Sequence, residues 1–219
     1  MTITDSNGPG LTFYSTTVPV AISALTITGS AAPNGGGILL YHNITDIVIS
    51  DVTISGNQSV GKGGGLSVDS FEPGQHLTII DSRFTENETS GYGGGLSVEN
   101  SDVTISDTVF SENAAGAGGG GLASRDLATV SLQHVQVSDN TASNNGAGIS
   151  IQDTDLVVDG STVSGNVATG PGGGIRAGGT SSLEVTSSTI SGNHADANGG
   201  GLYLTNFYGV FVGNSTVSG

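Results

Sequence analysis

The chain has no cysteine, and lysine and arginine together number only 4 among its 219 residues. The first absence removes disulfides, thiolate chemistry and cysteine-based zinc sites together. The second, set against 19 aspartates and glutamates, gives a formal charge of −15. Nucleic acids and anionic membrane surfaces, which require a positive face, are thereby excluded as partners. No apolar run approaches the roughly 18 residues needed to span a bilayer, so this segment is not expected to insert directly into a membrane. Residues 1–10 carry neither the basic nor the apolar stretch of a secretory signal, and any export signal is expected outside this chain. Helical periodicity is also missing.

Glycine, by contrast, is abundant, at 38 residues, well above the usual share of about 7%. Collagen would need it at every third position, whereas here it clusters in triplets once per repeat. The second regularity is asparagine. Asn57, Asn87, Asn113, Asn140, Asn166 and Asn193 recur at intervals of 26 to 30 residues. Nine residues after each stands an apolar residue preceded by glycine: Leu66, Leu96, Leu122, Ile149, Ile175 and Leu202. A fixed period near 27 with fixed internal phase is the signature of stacked coils.

Within each repeat apolar and polar residues alternate with period 2, as in Val103, Ile105 and Phe110 against Thr104, Ser106 and Ser111. A further short apolar segment follows each glycine triplet, for example Leu66-Ser67-Val68. The pattern predicts three short strands per coil, joined by Gly, Asn and Asp turns, and eight coils beginning at Leu11, Ile38, Leu66, Leu96, Leu122, Ile149, Ile175 and Leu202. The expected fold is an all-β, right-handed parallel β-helix with residues 1–219 as one domain and a protruding insert at 69–76. At the usual strand spacing such a rod is about 38 Å long.

Six glycine triplets run into Leu or Ile, and [FIV]-x-x-N recurs in every coil from Ile54 to Ile190; the match is closest in Phe84-Thr85-Glu86-Asn87 and Phe110-Ser111-Glu112-Asn113. These motifs resemble the GGA[ILV] and FxxN repeats of chlamydial polymorphic outer-membrane proteins and related bacterial β-helix surface proteins. The third glycine stands where that family has alanine, and Ile54, Val137, Val163 and Ile190 stand where it has phenylalanine. The resemblance implies an exported passenger or stalk, often adhesive, at the cell surface or outside the cell.

Stacked asparagine amides that bond along the rod account for the asparagine beat, with left-handed backbone geometry tolerated there. Asp51, Asp81 and Asp107, six residues before successive asparagines and followed in line by His134, form a carboxylate column. They read either as solvated surface groups or as Ca²⁺ ligands, the one cofactor this sequence suggests. A second acidic column comprises Glu86, Glu112 and Asp139. Gly56 to Gly63 nearly spells a phosphate loop, but Gly63 stands where a hydroxyl is needed and no helix follows. The bases Lys62, Arg83, Arg125 and Arg176 occupy four different positions of the repeat, and the four histidines share none, which argues against a polysaccharide lyase or hydrolase. Tyr203, Phe207, Tyr208 and Phe211 crowd the last coil, and Phe71 lies in the insert. These five are candidate interface residues, with Tyr203 placed for a cation–π contact with Arg176. The primary expectation is a non-enzymatic structural or adhesive rod, with further coils or a second copy stacked end to end and a glycan or host-surface ligand. The alternative is a carbohydrate-active or carbohydrate-binding β-helix.

Overall fold

The computed structural model describes all residues except Ile44, Pro73, Phe207 and Gly219. The chain winds as a parallel β-helix in which each coil pairs in register with the next, and no helix is present among the described residues. Eight four-residue strands following the glycine triplets, from Leu11–Tyr14 to Leu202–Thr205, form one sheet and count the coils. A fifteen-stranded sheet covers two further sides, because Val20–Thr28 and Ile47–Ser55 run unbroken from one side to the next. Sequence alternation does not reveal the third sheet, of seven strands, in which the middle coils contribute only two residues each, as at Glu88–Thr89 and Ala114–Ala115. Each middle coil thus holds four strand segments, the fourth too short to show a period.

The corners explain the segmentation. Apart from Gly74 and Leu127, the described residues with positive φ fall in four columns: Ser70, Asn100 and Asp126; Asp51, Asp81 and Asp107; Glu86, Glu112 and Asp139; and the first glycine of each triplet, such as Gly93 and Gly119. Both acidic columns are therefore left-handed corners, where Asp, Asn, His and Gly are tolerated better than branched residues. The repeat asparagines themselves are not left-handed, contrary to expectation. The left-handed residue is the one before each of them, for example Gly56, Glu86 and Glu112.

The asparagine after this corner points inward and is fully buried in all but the last of these coils. Asn113 is typical. Its Oδ1 accepts the backbone N–H of Asn87 at 3.0 Å and the Asn87 Nδ2 at 3.0 Å. Its own Nδ2 donates to the Phe84 carbonyl and to Asn140 Oδ1, each at 2.9 Å. The third glycine of the triplet leaves room for this amide: a Cβ on Gly95 would lie 2.6 Å from the Gly121 carbonyl oxygen and 3.2 Å from Asn113 Nδ2.

A second, hydroxyl ladder uses the same device five residues before the asparagine. The backbone N–H of Ser82 donates to Thr108 Oγ1 at 3.2 Å, that of Ser161 to Ser188 Oγ at 3.0 Å, and that of Ser188 to Ser215 Oγ at 3.1 Å. Each hydroxyl donates in turn to a carbonyl two residues upstream, as Thr108 does to Ser106 at 2.7 Å. A third corner repeats the device where Phe71 N–H donates to Ser101 Oγ and Thr154 N–H to Ser181 Oγ.

Between the ladders lies one aliphatic core. Ile105, Phe110, Val158, Val163, Val185 and Ile190 are buried in it, and the Phe84 and Phe110 rings stack with centroids 4.8 Å apart. Phe71 joins this core at 6% exposure, so it is not an interface residue. The loop added to its coil is correspondingly shorter than 69–76. Asp69 closes a strand, Ser70 is the corner, and the extra residues begin at Glu72.

Replacing Asn113 with alanine leaves the buried Asn87 backbone N–H without its acceptor and removes one bond each from the Phe84 carbonyl, Asn87 Nδ2 and Asn140 Oδ1, the last two keeping a second partner. The unmet N–H costs about 1–3 kcal/mol and each further bond lost about 1 kcal/mol, so a loss on the order of 4 kcal/mol is expected in urea melts. Ser111→Ala on the outward side should change stability by no more than about 0.5 kcal/mol. Equal losses in the two variants would contradict the ladder.

Candidate ligand-binding face

In a four-residue strand, positions one and three point into the core, while two and four point outward. On the eight-stranded sheet the fourth positions carry Tyr14, Tyr41, Asp69, Glu99, Arg125 and Gln152 in successive coils. The second positions carry small residues, Ser67, Ser97, Ala123 and Ser150, and then Arg176 and Tyr203. The small side chains form a buried floor. Beside them runs an overhanging row in which Lys62, Tyr92, Gly118 and Asn145 bridge from coil to coil.

Contacts between the two sides roof this floor in its middle. Lys62 forms an ion pair with Glu99, and the Arg125 guanidinium lies 4.0 Å from the Tyr92 ring centroid. At one end Tyr14 and Tyr41 stack at 5.3 Å, with His42 against Tyr41 at 4.2 Å. At the other, Arg176 Nη1 donates to Gln152 Oε1 at 2.9 Å, and the Gln152 amide reaches Asp153 Oδ2 at 3.1 Å. The Asp153 carboxyl is held below its usual range, chiefly by the Thr180 backbone N–H and also by Gln152 and the Thr180 hydroxyl. Burial, followed by the charge of Arg125, depresses the Arg176 guanidinium.

Four of the five tyrosines and three of the four basic residues therefore share one side of the rod. Different positions along a repeat do not mean different faces, and the expectation that the bases fail to converge is corrected for Lys62, Arg125 and Arg176. Arg83 alone stands on the fifteen-stranded sheet. The cation–π contact pairs Arg125 with Tyr92, rather than Arg176 with Tyr203, which are register neighbours. One sequence signal does mark this face: Lys62 and Tyr92 both stand immediately before a glycine triplet.

The fold agrees with family membership. The family described as right handed beta helix region matches residues 1–151. The chain belongs to that family. Residues 99–218 also match a family described as periplasmic copper-binding protein (NosD). No curated protein and no solved structure matches the chain.

The remaining candidates lie elsewhere on this β-helix. Asp51, Asp81 and Asp107 are exposed corner residues lining a shallow groove with Arg83. Asp107 lies 3.8 Å from His134 Nδ1, a solvent-exposed pair of little energetic weight. Among the described residues no group of three or more His, Cys, Asp or Glu is placed to hold a metal ion. Tyr208 and Phe211 are 82% and 58% exposed in the last coil, Tyr203 is half-buried, and Phe207 lies outside the described residues. Since left-handed geometry already accounts for the aspartate column, the melting temperature is expected to stay constant in excess chelator. A drop on chelation would assign that column a stabilising cation.

Proposed function

We propose that this chain is a segment of an exported, non-catalytic β-helical rod with a structural and adhesive role, and that the tyrosine-rich and basic side of the eight-stranded sheet is its adhesive surface. The observation that carries this reading is the gathering of Tyr14, Tyr41, Tyr92 and Tyr203 with Lys62, Arg125 and Arg176 on one side of an otherwise acidic rod. Tyrosine supplies large amphipathic contact area at low entropic cost. The stacked coils hold that area at fixed spacing, as a binding surface requires. The resemblance to chlamydial polymorphic outer-membrane protein repeats supports export and adhesion. The periplasmic description of the second matching family supports a non-cytoplasmic address.

Copper, which that description names, is not carried over. A copper site draws on imidazole, thiolate or thioether ligands. This chain has no cysteine and a single methionine, and His42, His76, His134 and His194 fall in four separate columns. The residues present do not fit the ion.

A carbohydrate-active reading is favoured by one observation, the groove that Asp51, Asp81 and Asp107 line beside Arg83. It differs from adhesion in demanding bond cleavage. Binding of the purified protein to a glycan array and to cell-surface preparations, with reducing-sugar release followed in parallel, separates the two. The Tyr14→Ala, Tyr41→Ala double variant is expected to bind about tenfold more weakly or worse, as aromatic contact residues do, with no sugar released by either protein. Release of reducing sugar would replace adhesion with catalysis, and a double variant that binds like the parent would remove the tyrosine stack from the surface.

A further inference from the structure

Along the candidate face, the roof over the small-residue floor has one gap. Gly118 occupies the overhanging row between Tyr92 and Asn145 and contributes no side chain. Beneath it opens a cleft of about 90 Å³, lined by Tyr92, Arg125, Asn145, Ser150, Gln152 and Arg176 among others. No carboxylate lines it, although the chain carries 19 acidic residues. Among the described residues the ion pairs are Lys62–Glu99, His134–Asp107 and His194–Asp196, so neither Arg125 nor Arg176 has a carboxylate at salt-bridge distance.

Arg176 is built in rather than draped on the surface. A Cβ on Gly146 would lie 3.0 Å from the Arg176 Cβ, and one on Gly178 would lie 3.1 Å from its Nη2, so the side chain packs over glycine backbone at both stem and head. Its Nη1 is anchored by Gln152, while its Nε is buried with no hydrogen-bond partner. Asp153, the carboxylate behind Gln152, is already engaged by the Thr180 N–H at 2.8 Å, the Thr180 hydroxyl at 2.9 Å and the Gln152 amide. Both guanidinium groups line this one cleft, so their like charges repel, with hydroxyl and amide groups around them and no carboxylate in the lining. A bound oxyanion relieves that repulsion, and the planar guanidinium fork matches carboxylate and sulfate oxygens.

We propose that Arg125 and Arg176 form a seat for the carboxylate or sulfate group of an acidic saccharide, with Asn145 and Ser150 beside it to bond its hydroxyls. This rests on the reading of the face as the adhesive surface. A saccharide suits the surroundings: the floor runs along the rod, its edges are hydroxyls and amides, and Tyr203 stands in register one coil beyond Arg176. The negative charge elsewhere repels polyanions, which confines capture to this cleft and makes it selective.

The test is titration of the folded chain with labelled oligogalacturonate, a heparin oligosaccharide and a neutral dextran oligosaccharide. Parent, Arg125→Gln, Arg176→Gln and Arg83→Gln proteins are compared after their melting temperatures have been checked. Losing one charged hydrogen-bonding partner is expected to weaken acidic-saccharide binding about tenfold or more in Arg125→Gln and Arg176→Gln. Arg83→Gln, on another side of the rod, should stay within about twofold of the parent. Should Arg176→Gln fail to fold, Arg125→Gln carries the test alone, because its guanidinium lies over the Tyr92 ring. Binding of oligogalacturonate alone supports a carboxylate seat, binding of heparin alone a sulfate seat, and binding of both their shared chemistry. Saccharide binding that ignores both arginine variants, or falls equally in Arg83→Gln, overturns the seat while leaving the adhesive reading standing. A folded protein that binds no saccharide of any kind overturns both.

Discussion

A strand that turns through a left-handed residue loses its place in the ladder, and the next backbone N–H points toward the interior instead of toward the neighbouring coil. The β-helix depends on how that one donor is satisfied. At the corner before each repeat asparagine, the side chain of the equivalent residue one coil later reaches back to accept it, as Asn113 does for Asn87 and Asn140 for Asn113. Serine and threonine hydroxyls do the same at the neighbouring corner. A left-handed residue costs about 1–2 kcal/mol, and a net hydrogen bond returns about 1 kcal/mol. An unmet buried donor would cost more than either, so each corner is tolerable only when the coils are in register. The ladders therefore specify register as much as they stabilise it.

The same constraint dictates the glycine content. Where the asparagine amide and two backbones meet, no Cβ fits, and the third glycine of the triplet follows from packing between coils rather than from turn flexibility. Aliphatic residues stacked in identical positions then fill the interior, with Phe84 on Phe110 as the bulkiest pair. Because every coil repeats this solution, the outward positions are free to vary. Variation is concentrated on the eight-stranded sheet, which carries Tyr14, Tyr41, Tyr203, Arg125 and Arg176, and on the row beside it with Lys62 and Tyr92.

The period, the phase and the core were legible in the residues because stacking forces equal positions to carry equal chemistry. Leu66, Leu96 and Leu122 announce themselves in a way no single strand does. The two acidic columns were legible as columns, but their cause, positive φ at Asp51 and Glu86 and at their equivalents, needs backbone angles. The hydroxyl ladder through Ser82, Thr108, Ser161 and Ser188 does not stand out in the sequence, because serine and threonine are common at outward positions too. The face escaped for a different reason. Lys62 and Glu99 are 37 residues apart, in different phases of the repeat, yet the overhanging row brings them into contact across the floor. Only the closed cross-section of a coil shows that. The inward position of Phe71 is not legible in the sequence, because an insert after a corner hides which residue still turns inward.

Hydrogen exchange resolved residue by residue tests the central claim most directly, since it reports whether each corner donor is held. In the intact protein, the backbone amides of Asn87, Asn113, Asn140 and Asn166, together with their side-chain amides, should exchange as slowly as the core strand amides of Ile105 and Val158. Exchange at these corners as fast as at the exposed Val18 and Gly74 would show that the ladders do not hold the coils in register, and would contradict the account.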